Sequence, residues 1–285
     1  MLSYRHGFHA GNHADVFKHI GLTLLVTALL KKSKPFFYLD THSGAGRYHL
    51  GSEMATKNRE FESGIQRIWN EKSPPIEIQG YLDAVHAANK SKDLTWYPGS
   101  PSLVRHFLRD QDRMHLCELH PNDFKVLGST LRGDSRIRVE HSDGYQALKA
   151  LIPPPERRGL VHIDPAFELK EERARLLQSV SESYRKWSTG IFAIWYPIQD
   201  RATATDFLKR FSRLGITKVV HAEFTVLDDQ PFRLNGSGLI IINPPWQFDL
   251  EMQKVLPWLW QHLSLGGQGQ WQVNWLSEET SSKGS

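Results

Sequence analysis

The sequence predicts an α/β fold built on an open, mostly parallel sheet. Three observations carry that expectation. Short apolar runs ending in polar residues recur along the chain, helical periodicities fall between most of them, and acidic residues stand at or just after four of the run ends: Asp40, Glu118, Asp143 and Asp164. Alternating strands and helices place helices on both faces of such a sheet. Ligands then sit beyond the carboxyl ends of the strands, where the four acids would gather.

Taken in order, residues 14–32 read as a helix. Val16, Phe17, Ile20 and Leu24 belong to its broad apolar face, and Lys31 and Lys32 stand at its end. Pro35 breaks it, and residues 36–39 form a strand ending at Asp40. Further strands are expected at 114–117, 137–139, 160–163, 191–195, 218–224 and 238–242, which gives a seven-stranded sheet. Helices are expected around 102–109, 145–151 and 171–187. The interval between the first two strands exceeds one helical crossover. Its excess, residues 51–96, carries helical patterns at 58–69 and 78–88 and reads as a small helical insertion. The main domain is then discontinuous, 1–50 and 97–277, and residues 278–285 form a polar, low-complexity tail.

Composition sets outer limits. A chain of 285 residues with 40% hydrophobic content can bury one large core, with or without an insertion. The single cysteine, Cys117, excludes a disulfide framework and a cysteine-based zinc finger, and its apolar surroundings make it a buried residue. No signal peptide is evident, and the apolar run 20–30 is too short to span a bilayer, so a cytoplasmic protein with no membrane contact is expected. The net charge of +4 and pI near 9.1 suit a nucleic-acid partner without requiring one. Residues 1–34 hold five Lys or Arg, four histidines (His6, His9, His13 and His19) and one acid, Asp15. A solvated basic face explains that charge as well as RNA contact does.

The most specific chemistry lies at His162-Ile163-Asp164-Pro165-Ala166-Phe167, a strand end followed by a mostly polar segment. The exocyclic amine of adenine is a poor nucleophile because its lone pair is delocalised into the ring. Methylating it takes an acceptor side chain and a backbone carbonyl for the two N–H groups, and an aromatic ring for the extruded base. Asp164, the Pro165 carbonyl and Phe167 supply that set. Asp and Pro also make ordinary tight turns, so the tetrapeptide needs context. Asn243-Pro244-Pro245-Trp246 is the closer match in isolation, but it follows the last apolar run, and position favours Asp164.

Context comes from the other strand ends. Asp40-Thr41-His42-Ser43-Gly44-Ala45-Gly46 is an acid followed by a turn of small residues, whose backbone N–H groups can approach a ligand. A dinucleotide fingerprint would need glycine where His49 stands, which disfavours nicotinamide. Glu118 can accept from ribose hydroxyls, and Asp143-Gly144 from an adenine amine. Singly, each reads as a helix cap or a solvated strand end. Their joint order points to S-adenosylmethionine. Ser100, before Pro101, reads chiefly as a helix cap that also faces the ligand end. His9 and His13 are spaced as a helical metal pair, but they lack a clear third ligand, and no metal is expected.

These residues support a resemblance. The opening block Tyr4 to His19, with the turn at 40–46 and Asp164-Pro165-Ala166-Phe167, closely resembles the RlmJ family of bacterial 23S rRNA adenine-N6 methyltransferases over nearly the whole chain. The opening block is its most specific part; the tetrapeptide is shared with many amino-methyltransferases. The resemblance implies a Rossmann-like class I methyltransferase fold with a helical insertion, S-adenosylmethionine as methyl donor, and one adenine of 23S rRNA as substrate. It implies that His19, His42, Ser100, Glu118, Asp143, Gly144 and Asp164 form the cofactor pocket, with Asp164 as catalytic acceptor. Tyr4, His6 and Lys18 would lie on the substrate RNA side. Without it, His19 reads as a packed core histidine. Ala166 replaces the commoner proline of the superfamily and leaves the Pro165 carbonyl in place. A monomer is expected. The rival readings are a DNA or protein amide methyltransferase, a non-catalytic RNA-binding protein on the same fold, and a nicotinamide oxidoreductase.

Overall fold

In the computed structural model, which describes residues 4–89, 91–169, 171–231 and 233–278, apolar side chains alternate between two faces along the central strands. A 3-10 turn at His6–Phe8 precedes α1 (His13–Leu30) and β1 (Phe37–Asp40). The chain then forms β2 (Arg47–His49), α2 (Glu53–Asn58), a 3-10 turn (Glu60–Ser63), α3 (Ile65–Ile68), α4 (Ile76–Ala87) and β3 (Trp96–Pro98). The chain continues through α5 (Ser100–Phe107), β4 (Arg113–Cys117), α6 (Pro121–Thr130), β5 (Ile137–Glu140), α7 (Gly144–Leu151) and β6 (Gly159–Ile163). It closes with α8 (Glu172–Lys186), β7 (Ile191–Ile198), α9 (Arg201–Ser212), β8 (Val219–Thr225), β9 (Gly236–Ile242), α10 (Phe248–Leu263) and β10 (Trp271–Ser277).

The main sheet has eight strands in the order β10-β8-β9-β7-β6-β1-β4-β5. From β5 to β7 every neighbour is parallel. β9 runs antiparallel to both β7 and β8, and β10 antiparallel to β8. The fold is thus the expected α/β sheet with one strand more than expected. The extra strand is β10, which has no apolar run because it lies at an edge and is largely exposed.

Period-2 alternation divides the core in two. Tyr38, Leu160, Ala193 and Leu239 pack on the face of α1, α5 and α10, and Leu39, Val161, Ile194 and Ile240 on the face of α7, α8 and α9. Each fully buried aliphatic side chain contributes about 1.5–3 kcal/mol. Helix α1 is buried along most of its length because β9, α4, α5 and α10 pack around it, and its polar residues Asp15, Lys18 and His19 lie in its N-terminal half. It is longer than the run 20–30 suggested and is the one helix among the described residues long and apolar enough to cross a bilayer, yet 78% of it is buried.

β2 and β3 form a separate two-stranded ribbon, Arg47↔Pro98 to His49↔Trp96. The expected helix at 58–69 is broken in two. Arg59 adopts a left-handed backbone (φ 53°), and Gly64 passes so near the N-terminal segment that a Cβ there would lie 2.1 Å from the Gly11 carbonyl. Ile65, Ile68, Ile78, Tyr81 and Val85 join the same core as α1. Of the tail at 278–285, residues 279–285 lie outside the described residues.

Candidate active site

A cleft of about 610 Å³ opens at the carboxyl ends of the parallel strands. Tyr4, His6, Lys18, His19, His42, Ser100, Glu118, Asp143, Gly144, Asp164, Pro165 and Phe167 all line it. Asp40 does not, contrary to the expectation that four acids gather there. It shares the inward parity of Tyr38 and is fully buried, accepting from the Tyr38 hydroxyl (2.9 Å) and Ser100 Oγ (2.7 Å). The cap expected from Ser100 is also corrected. Gly99 holds the N-cap position of α5 without a side-chain bond, and the Ser100 hydroxyl ties the helix to Asp40 instead.

One half of the cleft is built from strand ends and the 41–46 turn. Glu118 Oε2 accepts from the Gly44 N–H (2.7 Å) and Oε1 from the His120 N–H (2.6 Å), while burial pushes its carboxyl pKa up. Asp143 caps α7 through the N–H groups of Tyr145 and Gln146, and its Oδ2 meets Arg175 at 2.5 Å. Burial opposes ionisation of Asp143, but Arg175 and the two N–H bonds outweigh it and lower its pKa. At Gly144 a Cβ would lie 2.0 Å from the Thr41 carbonyl, so only glycine lets α7 start against that turn. His42 bonds to the Thr41 hydroxyl (2.8 Å) and stands edge-on to Tyr145. Burial lowers its pKa and favours the neutral ring. His19 is both a packed core residue and a wall of the cleft. It bonds to Tyr97 (2.7 Å), and burial holds its pKa well below the ordinary value.

The other half joins the N-terminal segment to the end of β6. Leu160, His162 and Asp164 share a parity, which turns Asp164 toward α1. There Lys18 Nζ lies 2.6 Å from Asp164 Oδ2 and 2.9 Å from Asp15 Oδ1. Asp15 Oδ2 accepts from the Gly11 N–H (2.9 Å) and bonds to His6 Nε2 (2.8 Å), and Tyr4 and His6 share a further bond at 2.9 Å. Burial pulls the Lys18 pKa down, but the two carboxylates outweigh it and hold the amine charged. Burial likewise opposes ionisation of Asp15, and His6 and Lys18 reverse it. Phe167 takes a left-handed backbone (φ 54°), which costs about 1–3 kcal/mol, and its ring lies 6.0 Å from Trp195.

Three other sequence expectations resolve here. The basic N-terminal segment is not one patch. Lys18 is buried and paired, Arg5 bonds Asp123, and Lys31 and Lys32 lie beyond the far end of α1, roughly 27 Å along an 18-residue helix. Asn243 is outside the cleft. Because β9 runs antiparallel to β7, it ends beside the amino end of β7, on the side of the sheet away from the cleft, where Asn243 Nδ2 donates to the Ser188 (2.7 Å) and Gly190 (2.8 Å) carbonyls. His9 precedes the helix that begins at His13, so the two do not share a helical face, and His9 pairs with Glu60 at 2.9 Å.

The sequence did not single out Trp195, Tyr145, Glu172, Arg175 or Arg233, all of which line the cleft. Asp15 also lines it and was noticed only as the one acid in a basic segment. Trp195 had a signal: it stands on the strand beside Asp164, at the end of its apolar run. Asp15 had another, since Asn12-x-x-Asp15 is a helix start, and Asn12 does accept from the Asp15 N–H.

The chain matches the family model described as "Ribosomal RNA large subunit methyltransferase D, RlmJ" over residues 33–277. It is 46% identical over 280 residues to the ribosomal RNA large subunit methyltransferase J of Escherichia coli (strain K12), covering 98% of this chain and 100% of that one. It is 43% identical over 281 residues to the protein of the same name in Haemophilus influenzae (strain ATCC 51907 / DSM 11121 / KW20 / Rd), again covering 98% and 100%. A crystal structure of a Legionella pneumophila protein superposes with a TM-score of 0.88 at 38% identity, covering 94% of this chain and 98% of that one.

Proposed function

The chain belongs to the RlmJ family of large-subunit ribosomal RNA methyltransferases, and from that premise we propose that it methylates the N6 amine of one adenine in 23S rRNA, using S-adenosylmethionine. The observation that carries this reading is the convergence of Asp164, Pro165 and Phe167 with Glu118, Asp143 and residues 41–44 in a single cleft.

The donor set fits the cofactor. The cleft volume falls in the range of about 300–1,000 Å³ usual for such sites. Carboxylates predominate on its walls, as a cationic sulfonium requires. Glu118 would take the ribose hydroxyls, Asp143 and Gly144 the adenine ring, and His42, Ser100 and His19 would border the remainder. When bound, the cofactor supplies an electrophilic methyl group.

The protein's own residues do the rest. The target adenine is drawn out of its stack, and Phe167 packs on its face. Asp164 and the Pro165 carbonyl accept from the two N–H groups of the amine. This aims the lone pair and draws off the positive charge that develops as the new C–N bond forms. The surplus proton leaves the amine toward Asp164. Exposed Arg233 at the cleft rim meets the RNA backbone, and Tyr4, stacked on His9, borders the base.

The test is incubation with labelled cofactor and separate 23S rRNA, DNA and protein pools, followed by mapping of the modified nucleoside. Label confined to one N6-methyladenosine in 23S rRNA is expected. Label in DNA or protein, or at another atom, overturns the reading.

A further inference from the structure

Lys18 places a positive charge beside the carboxylate that has to attract one. Its Nζ lies 2.6 Å from Asp164 Oδ2, and its side chain is only 5% exposed. Alone, that contact would cancel the charge of Asp164 and leave the methyl-donor end of the cleft without pull on a cation. Behind the pair stands Asp15, whose side chain is 2% exposed and 2.9 Å from the same Nζ. The carboxylate is held in place from three sides: the Gly11 N–H, His6 Nε2 and Lys18 all meet it. The remaining titratable neighbours on α1, His13 and His19, are kept neutral by burial.

We propose that Asp15 is a charge-compensating positioning residue. It converts the Lys18–Asp164 pair into a triad of net charge −1, so that Lys18 can clamp Asp164 without making the cleft repel a cationic methyl donor. The inference rests on the reading above, in which S-adenosylmethionine enters this cleft. Two carboxylates and one ammonium sum to −1, with His6 entering as a hydrogen-bond donor to Asp15 through Nε2 and an acceptor from the Tyr4 hydroxyl through Nδ1. Without Asp15 the sum is zero, and an arriving sulfonium meets an uncompensated lysine. A purely structural Asp15 would serve any cleft occupant alike, whereas compensation favours the charged one.

The experiment compares calorimetric affinities for S-adenosylmethionine, a sulfonium cation, and S-adenosylhomocysteine, its neutral thioether counterpart. Asp15→Asn keeps the size of the side chain and an acceptor for Gly11. It should weaken the cationic ligand relative to the neutral one by about tenfold or more, the scale of one charge within a few ångströms in a partly screened site. Asp15→Glu should keep the wild-type ratio within about twofold, even if packing lowers both affinities. Adding Lys18→Met to Asp15→Asn should restore the ratio. If Asp15→Asn weakens both ligands equally, or neither, the compensation is wrong. If the wild type binds neither ligand, the methyltransferase reading fails, and this inference falls with it.

Discussion

Two regions of this molecule carry the same pattern, an Asp or Asn, a proline and a closing aromatic residue, and share none of the same surroundings. Asp164-Pro165-Ala166-Phe167 and Asn243-Pro244-Pro245-Trp246 each follow a strand of the main sheet, and each contains a non-glycine residue at positive φ: Phe167 at 54° and Asn243 at 52°. The first ends a parallel strand and opens on a cleft with Lys18, Asp15, Glu118 and Asp143. The second ends an antiparallel strand, beside the amino ends of the parallel strands. Its amide is spent on the Ser188 and Gly190 carbonyls, and its aromatic ring is 85% exposed. A short motif therefore carries chemistry only through what strand direction brings beside it.

That contrast can be broken most sharply by activity. On the function proposed above, Asp164→Ala should lower the methylation rate by at least about 10³-fold with RNA affinity little changed, because that function makes Asp164 an acceptor for the amine and the charge that stabilises the transition state. Asn243→Ala should leave turnover within about twofold and cost about 1–2 kcal/mol in chemical denaturation, for two lost hydrogen bonds to backbone carbonyls. A dead Asn243→Ala with a live Asp164→Ala would reverse the assignment. A smaller effect separates the two rings. Phe167→Ala should reduce kcat/KM for RNA by roughly 10–100-fold, the worth of about 1–3 kcal/mol of base stacking, while Trp246→Ala should not change it.

The smallest expected effect concerns pH. His9 donates to Glu60, and that bond, against the opposing effect of burial, raises its pKa above 6.5. A raised histidine stabilises the fold fully below its unfolded pKa, and the contribution disappears as pH climbs through the folded value. The difference in thermal midpoint between wild type and His9→Gln should therefore be larger at pH 6 than at pH 9. Asn243 does not titrate, so Asn243→Ala should show no matching trend. An NMR titration placing His9 below 6.5 would remove the basis for the difference.

Much of this was legible in the sequence, for reasons that also mark where legibility ended. Strands buried on both faces appear as uninterrupted apolar runs, so β1, β4, β6, β7 and β9 were visible. β10 was not, because an exposed edge strand alternates Trp271, Val273 and Trp275 with polar residues and forms no run. The acids at the run ends located the cleft, but parity sent Asp40 beneath its floor. The Lys18–Asp15 contact lies one helical turn along α1 and could have been seen. That Asp164 completes it depends on a pairing across 146 residues, which local pattern does not contain.

The order of the outer strands also bears on how the chain is made. β8 precedes β9 in sequence but lies outside it, so β7 gains its lasting neighbour only when residues 236–242 have been added. Until then a newly synthesised chain carries an open strand edge, with β8 already available to pair there in the wrong place. A nascent protein stalled before residue 236 should be the aggregation-prone form, and completing β9 is the step that closes it.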